Sequence, residues 1–193
     1  MKHTVIALVE DRPGVLNRCA SLFRRRGFNI DSLAVGTTEE PGISRMTIVV
    51  EDEGAPGIVE QVEKQLYKLI DVIDIANLTS AEAVMRELAL VKVRCTTEQR
   101  REVLDLIDIF RGHVVDVSPA HLTAEIVAAE DRMTAFIENL RPYGILELVR
   151  TGRIAMMRGP QTNVVHELEP DSVLRFHTES GRRPEGDLPY VSD

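Results

Sequence analysis

Tryptophan is absent from this 193-residue chain, and aromatic residues of all kinds make up only 4%. Any core must therefore be built mostly from Val, Ile, Leu and Ala, and a hydrophobic content of 44% is enough to build one. Cysteine is equally scarce. Cys19 and Cys95 are too few for a disulfide framework, and both sit in apolar patterns that read as small core positions. No apolar run approaches the roughly 20 residues of a membrane span. The first run is broken by Glu10-Asp11-Arg12 without a cleavage-type sequence, so the expected location is cytoplasmic. Positive charge is in deficit, 23 Lys and Arg against 31 Asp and Glu. A net charge of −8 argues against a general nucleic-acid role, which needs a basic surface.

Catalytic equipment is missing too. His3, His113, His121, His166 and His177 have no metal-ligand spacing. There is no Gly-x-Ser-x-Gly elbow and no Cys-x-x-Cys pair. Glu39-Glu40 and Glu51-Asp52-Glu53 read as solvated turns, and Arg24-Arg25-Arg26 as a solvated face in preference to a contact for an acidic partner. The chain offers a binding site more readily than a reaction.

What is present is a plan used twice. Thr4–Val9 is β-branched and apolar, as in a buried strand. Pro13 suits the first turn of a helix, along which Leu16, Cys19, Ala20 and Phe23 form one face, with Gly27 as its stop. Strands follow at Phe28–Val35 and Ile43–Val50, then a helix over residues 56–68 through Val59, Val62 and Leu66, then a strand at Val72–Leu78. The order is βαββαβ, the ferredoxin-like plan, which predicts a four-stranded antiparallel sheet with both helices on one face. After a linker near Ser80–Glu87 the order recurs. Leu88–Cys95 is a strand, and Thr96 and Gln99 have capping-box spacing. A helix runs through Val103, Leu104, Ile107 and Phe110 to a stop at Gly112. Strands at His113–Val117 and Leu122–Ala128, a helix over 130–140 and a strand at Ile145–Val149 complete the unit. Gly27-Phe28-Asn29-Ile30-Asp31 is echoed by Gly112-His113-Val114-Val115-Asp116 at the same point of the plan. The fold class is α+β with two ferredoxin-like units, at 1–79 and 80–159. Residues 160–193, rich in Glu, Pro, Gly, Arg and Ser, read as an appended tail with the composition of a mobile segment.

The Pro13-Gly14 turn presents free backbone N–H groups at a helix start, which attract a carboxylate. It lacks the repeated glycines and the lysine of a phosphate loop. Asp11 can accept from an ammonium, and Asn29, opening a strand expected to lie close to the first, offers donors and an acceptor. Val15, Leu16, Ile30 and Leu33 are available as an apolar wall. These groups suit a free aliphatic amino acid, although a plain structural turn is the commoner use of Pro-Gly before a helix.

Several stretches resemble a known family. They are Glu10-Asp11-Arg12-Pro13-Gly14-Val15-Leu16, Leu22 to Leu33, Ser44-Arg45-Met46-Thr47-Ile48, Glu63 to Val72 and Phe110 to Val117. Over about residues 2–160 the chain resembles the small, regulatory subunit of acetolactate synthase, and its first half resembles an ACT domain. The resemblance implies a non-catalytic chain that activates a separate large subunit and confers feedback inhibition by valine or another branched-chain amino acid. It places thiamine diphosphate, magnesium and FAD on the large subunit, and no cofactor or metal on this chain. It implies a homodimer through the ACT domains, with the effector at their interface. The matching positions are Asp11, Gly14, Val15, Leu16, Asn29 and Ile30. Position 11 is commonly Asn in that family; Asp11 keeps the acceptor and loses the amide donor. A stand-alone ACT-type sensor regulating another protein or transcription is the alternative. It is disfavoured by the acidic charge and by the absence of a helix-turn-helix pattern before Lys2. No nucleic acid or membrane partner is expected.

Overall fold

The structure is a computed structural model that describes residues 1–51, 57–79 and 82–159. The readings of Asp52-Glu53 as part of a solvated turn, of the second helix's start at residue 56, of Ser80 in the linker, and of the tail with His166 and His177 lie outside these residues.

Strand β1 (Lys2–Glu10) is the centre of the first sheet, because alternate residues bury on both faces. Helix α1 (Val15–Arg26) follows, then β2 (Ile30–Thr37), β3 (Ile43–Glu51), α2 (Ile58–Leu66) and β4 (Val72–Asn77). All pairings are antiparallel in the order β2-β3-β1-β4. Val5, Ala7 and Val9 meet Val15, Cys19, Leu22 and Phe23 of α1 and Val59, Val62 and Leu66 of α2, so both helices lie on one face. The second sheet is built alike. Its elements are β5 (Ala83–Arg94), α3 (Arg100–Ile109), β6 (His113–Val117), β7 (His121–Ala128), α4 (Glu130–Leu140) and β8 (Ile145–Arg150), with strand order β6-β7-β5-β8. Ala89, Val91 and Val93 pack under Val103, Ile107, Met133, Phe136 and Leu140. Both sheets belong to one compact unit of the chain.

Several details correct the sequence reading. Residues expected to be linker, from Ala83 onward, extend β5, and their partner is an unforeseen strand, β9 (Ile154–Met157). This ribbon lays Ala83, Met85, Ala155 and Met157 over Ile6 and Leu78, covering the face of the first sheet opposite the helices. Helix α1 starts at Val15, with Pro13 outside it and Gly14 as N-cap. Its buried face is Val15, Cys19, Leu22 and Phe23, leaving Leu16 and Ala20 exposed. Strand β2 begins at Ile30, since Phe28 still belongs to the α1 exit, donating to Phe23 O at 3.0 Å. Thr96 Oγ1 does accept from Gln99 N at 3.3 Å, but this closes a turn ahead of α3, whose N-cap is Gln99 itself. At the α3 exit the left-handed residue is Arg111 (φ 56°), not Gly112. Gly112 is needed for space instead: a Cβ there would lie 2.9 Å from Glu125 O.

Candidate effector site

The β1–α1 turn is held by backbone bonds to two neighbouring loops. Glu10 N donates to Asp71 O at 2.9 Å, and Asp11 N donates to Gly42 O, in the β2–β3 turn, at 2.7 Å. Gly14 sits at φ 90°, ψ −10°, a left-handed conformation that costs other residues about 1–2 kcal/mol. Its side chain is a single hydrogen, so no side chain at the N-cap accepts from the first amides of α1, and no acidic residue stands in the first turn. Val15 N donates to Arg12 O at 3.4 Å; the next amides and the positive end of the helix dipole are directed at an exposed surface formed by Asp11, Arg12, Pro13 and Gly14.

One turn into the helix, Arg18 adds a formal charge. Its Nε and Nη2 grip Asp71 side-on, at 2.6 and 2.8 Å. The Asp71 side chain is nearly buried, whereas that of Arg18 is half exposed. The hydrogen bond to Asp71 raises the Arg18 pKa above its ordinary value. Nη1 is left over, 3.3 Å from where a Cβ on Gly14 would stand. The sequence reading missed both residues. Arg18 was findable as the residue four positions after Gly14, on the same helix face. Asp71, 53 positions away, was not.

The predicted site residues do not all come together within one chain. Asp11, Gly14, Val15 and Leu16 cluster at the end of β1. Val15 packs into the core, while Leu16 is exposed beside the turn. Asn29 and Ile30 lie at the opposite end of the sheet. Ile30 is level with Val50 and His3, whereas the turn follows Glu10, level with Ile43. Helix α1 alone separates them by about 18 Å, 12 residues at 1.5 Å each. The expectation that Asn29 lies near the first strand's turn fails because β3 intervenes and β2 runs in the direction of β1. Ile30 and Leu33 are partly buried against the core.

Two clefts lie elsewhere. One, of about 370 Å³, runs between α1 and α2 past Arg25, Arg26 and Lys68. The other, of about 400 Å³, lies beside Thr96 and His121. Among the described residues no group of three or more His, Cys, Asp or Glu side chains is placed to hold a metal ion, and no helix is long and apolar enough to cross a membrane.

A β2-β3-β1-β4 sheet with two helices on one face and an open glycine turn after β1 defines an ACT-type module, and residues 6–74 match the family described as "AHAS small subunit-like ACT domain". Residues 86–159 match "Small subunit of acetolactate synthase". The probable acetolactate synthase small subunit of Archaeoglobus fulgidus is 54% identical over 159 residues, 82% of this chain and 98% of the relative. The acetolactate synthase small subunit of Mycolicibacterium smegmatis is 49% identical, over 82% of this chain and 92% of the relative. The crystal structure of the small subunit from Thermotoga maritima superposes with a TM-score of 0.76 at 42% identity, covering 83% of this chain and 99% of that one. The chain belongs to the acetolactate synthase small subunit family.

Proposed function

We propose that this chain is the regulatory subunit of an acetolactate synthase, activating a catalytic large subunit and making it sensitive to valine. The chemistry, with thiamine diphosphate, magnesium and flavin, resides on the large subunit, and the assembly works in the cytoplasm. One observation carries the effector reading: the turn at Gly14 and the anchor at Asn29 occupy opposite ends of β2. Strand β2 is an edge, and Val35 on it is exposed. An edge with unpaired backbone groups is a template for a second strand. Pairing two copies antiparallel through β2, with helices on the same side, sets the start of one β2 level with the end of the other. Asn29 of each copy then approaches the β2–β3 turn, and hence the Gly14 turn, of its mate. Valine's carboxylate takes the amides of α1 and the spare Nη1 of Arg18. Its ammonium takes Asn29 and Asp11, and its side chain meets Leu16 and Ile30.

The test uses two variants. Gly14→Asp puts a carboxylate where the ligand's would sit. Asn29→Ala removes a polar anchor, costing about 1–3 kcal/mol of affinity if its partner is left unpaired. Each variant alone should still activate the large subunit and lose valine inhibition. Co-assembled, they should regain one intact site per heterodimer, because the intact Gly14 turn and the intact Asn29 then face each other. Calorimetry showing unchanged valine affinity in both single variants would move the effector elsewhere. Absence of recovery in the heterodimer would place the site within one copy. The second sheet serves as the docking element: Leu90, Val127 and Val149 are exposed on it.

A further inference from the structure

Four charged side chains meet where the first sheet abuts the second. Lys2 Nζ lies 2.8 Å from Glu130 Oε1 and 3.1 Å from Asp31 Oδ2. Arg153 donates through Nη2 to Glu130 Oε2 and through Nη1 to Thr4 Oγ1, the latter at 2.9 Å. Lys2 and Thr4 belong to β1 and Asp31 to β2, whereas Glu130 opens α4 and Arg153 precedes β9. Backbone contacts reinforce the junction. Arg153 N donates to Ser32 Oγ at 3.4 Å. A Cβ on Gly152 would lie 3.1 Å from Ser32 Cβ, so the β8–β9 link rests directly on β2.

Isolated exposed ion pairs contribute little, but networks with a buried member behave differently. Here one lysine is shared by carboxylates from β2 and α4. The Arg153 side chain is only 14% exposed, and its other partner, Thr4, is buried. The four charges balance, so removing one leaves the set with a net charge, its cost partly screened because Lys2, Asp31 and Glu130 each keep about a third of their side chain exposed. Asp31 also has an unusual place in the strand. The β2–β3 register passes from Ile30↔Val50 to Ser32↔Val49, leaving Asp31 as the extra residue of a bulge. Bulges re-aim side chains, and this one lies two residues after Asn29.

We infer that the Asp31–Lys2–Glu130–Arg153 cluster couples the start of β2 to α4 and β9, so that effector occupancy beside Asn29 is read by the second sheet. The inference rests on the effector reading above. Coupling requires two arrangements for which the ligand has different affinities. A ligand that draws Asn29 toward a mate's turn shifts the bulge, and with it the carboxylate that shares Lys2 with Glu130.

The test has a ligand-free arm and a ligand arm, both on the full chain. In hydrogen exchange without ligand, Asp31→Asn and Glu130→Gln should each speed exchange several-fold within α4 and at Ile154–Met157, while Lys2→Arg, which keeps the charge, should stay near wild type. Wild-type rates in both regions of both charge-removing variants would overturn the coupling. So would equal acceleration throughout both sheets, which signals general destabilisation. With the large subunit, the same two variants should retain activation, and the valine concentration for half inhibition should rise at least about fivefold, the lower end of ordinary coupling. Calorimetric valine affinity of the free chain should change by less than the half-inhibition concentration does; a loss of affinity as large as that shift would overturn the inference, because the variants would then act on the effector site itself. An unchanged inhibition curve would overturn the inference. A wild-type chain that binds no valine would overturn the effector reading instead, with the exchange arm still deciding the coupling.

Discussion

The two sheets share a strand order, yet their faces away from the helices are treated in opposite ways. On the first, Ile6 of the central strand is fully buried under the β5–β9 ribbon. On the second, Leu90 occupies the corresponding face of the corresponding strand and is 37% exposed, with Val127 and Val149 exposed nearby. The turns after the central strands differ as well. In both, the first residue past the strand donates to the neighbouring hairpin turn, Asp11 N to Gly42 O and Cys95 N to Ala120 O. Beyond that shared bond, the first turn ends in a left-handed glycine with no side-chain cap, while the second is closed by Thr96 and Gln99. The repeated plan thus keeps what holds a turn to its sheet. It leaves free the features that differ between the sheets: an uncapped helix start at the first, an exposed apolar face at the second.

The contrast in burial is the easiest to break. Ile6→Ala should destabilise the full chain by about 2–5 kcal/mol, the usual range for a buried isoleucine. Leu90→Ala should fall within about 0.5 kcal/mol of wild type, as surface changes do. Denaturant unfolding followed by circular dichroism measures both, and similar losses would mean that the second face is covered too. Leu90→Glu should leave the fold intact and weaken activation of the large subunit if that face docks. A fragment ending near residue 80 is a poor substitute for these variants, since it strips the ribbon from Ile6 and Leu78.

Local order was legible where period and burial agree. Met133, Phe136, Ile137 and Leu140 recur at helical spacing and all are buried, so α4 was read to its ends. Strand β9 was not legible. It has four residues, and its partner Ala83–Arg86 lies about 70 positions earlier, in a segment whose composition reads as linker. The face of α1 was misjudged because Leu16 and Ala20 are apolar and fit a helical stripe as well as Val15 and Leu22 do; only packing against β1 selects between them. The glycine turn was visible in sequence because its chemistry is local. The separation of Asn29 from it was not, because strand order and direction are tertiary facts.

Helix exits offer a second, smaller contrast. Gly27 and Gly112 looked equivalent, yet Gly27 has φ 70° and open space, whereas Gly112 has a confined site and an ordinary backbone. Gly112→Ala should therefore cost about 1–3 kcal/mol through overpacking against Glu125 O, a backbone atom that cannot turn aside. Gly27→Ala should cost about 1–2 kcal/mol through conformation alone. Arg111→Gly should instead stabilise, by up to about 1 kcal/mol, because it relieves the left-handed arginine at φ 56°. Thermal melts of the three variants separate the two causes; a destabilised Arg111→Gly would show that the arginine side chain contributes more than its backbone costs.

The smallest effect concerns the tie between the sheets and appears only in alkali. The hydrogen bond that Lys2 donates to Glu130, aided by Asp31 and partly opposed by burial, raises the Lys2 pKa above its ordinary 10.5. The folded chain therefore holds this proton more tightly than the unfolded chain does. Its contribution is fully present below pH 10.5 and is lost as pH rises through the higher folded value. Burial raises Cys19, Tyr67 and Tyr143 as well, so they remove stability in the same direction and wild-type unfolding alone cannot isolate Lys2. The difference between wild type and Lys2→Met can, because the other three groups cancel. That difference should be below about 1 kcal/mol near neutrality, since the lysine is partly screened by solvent, and should shrink toward zero above pH 10.5. A difference that stays constant through this range would assign the effect of Lys2 to its aliphatic stem and not to the charge it shares between Asp31 and Glu130.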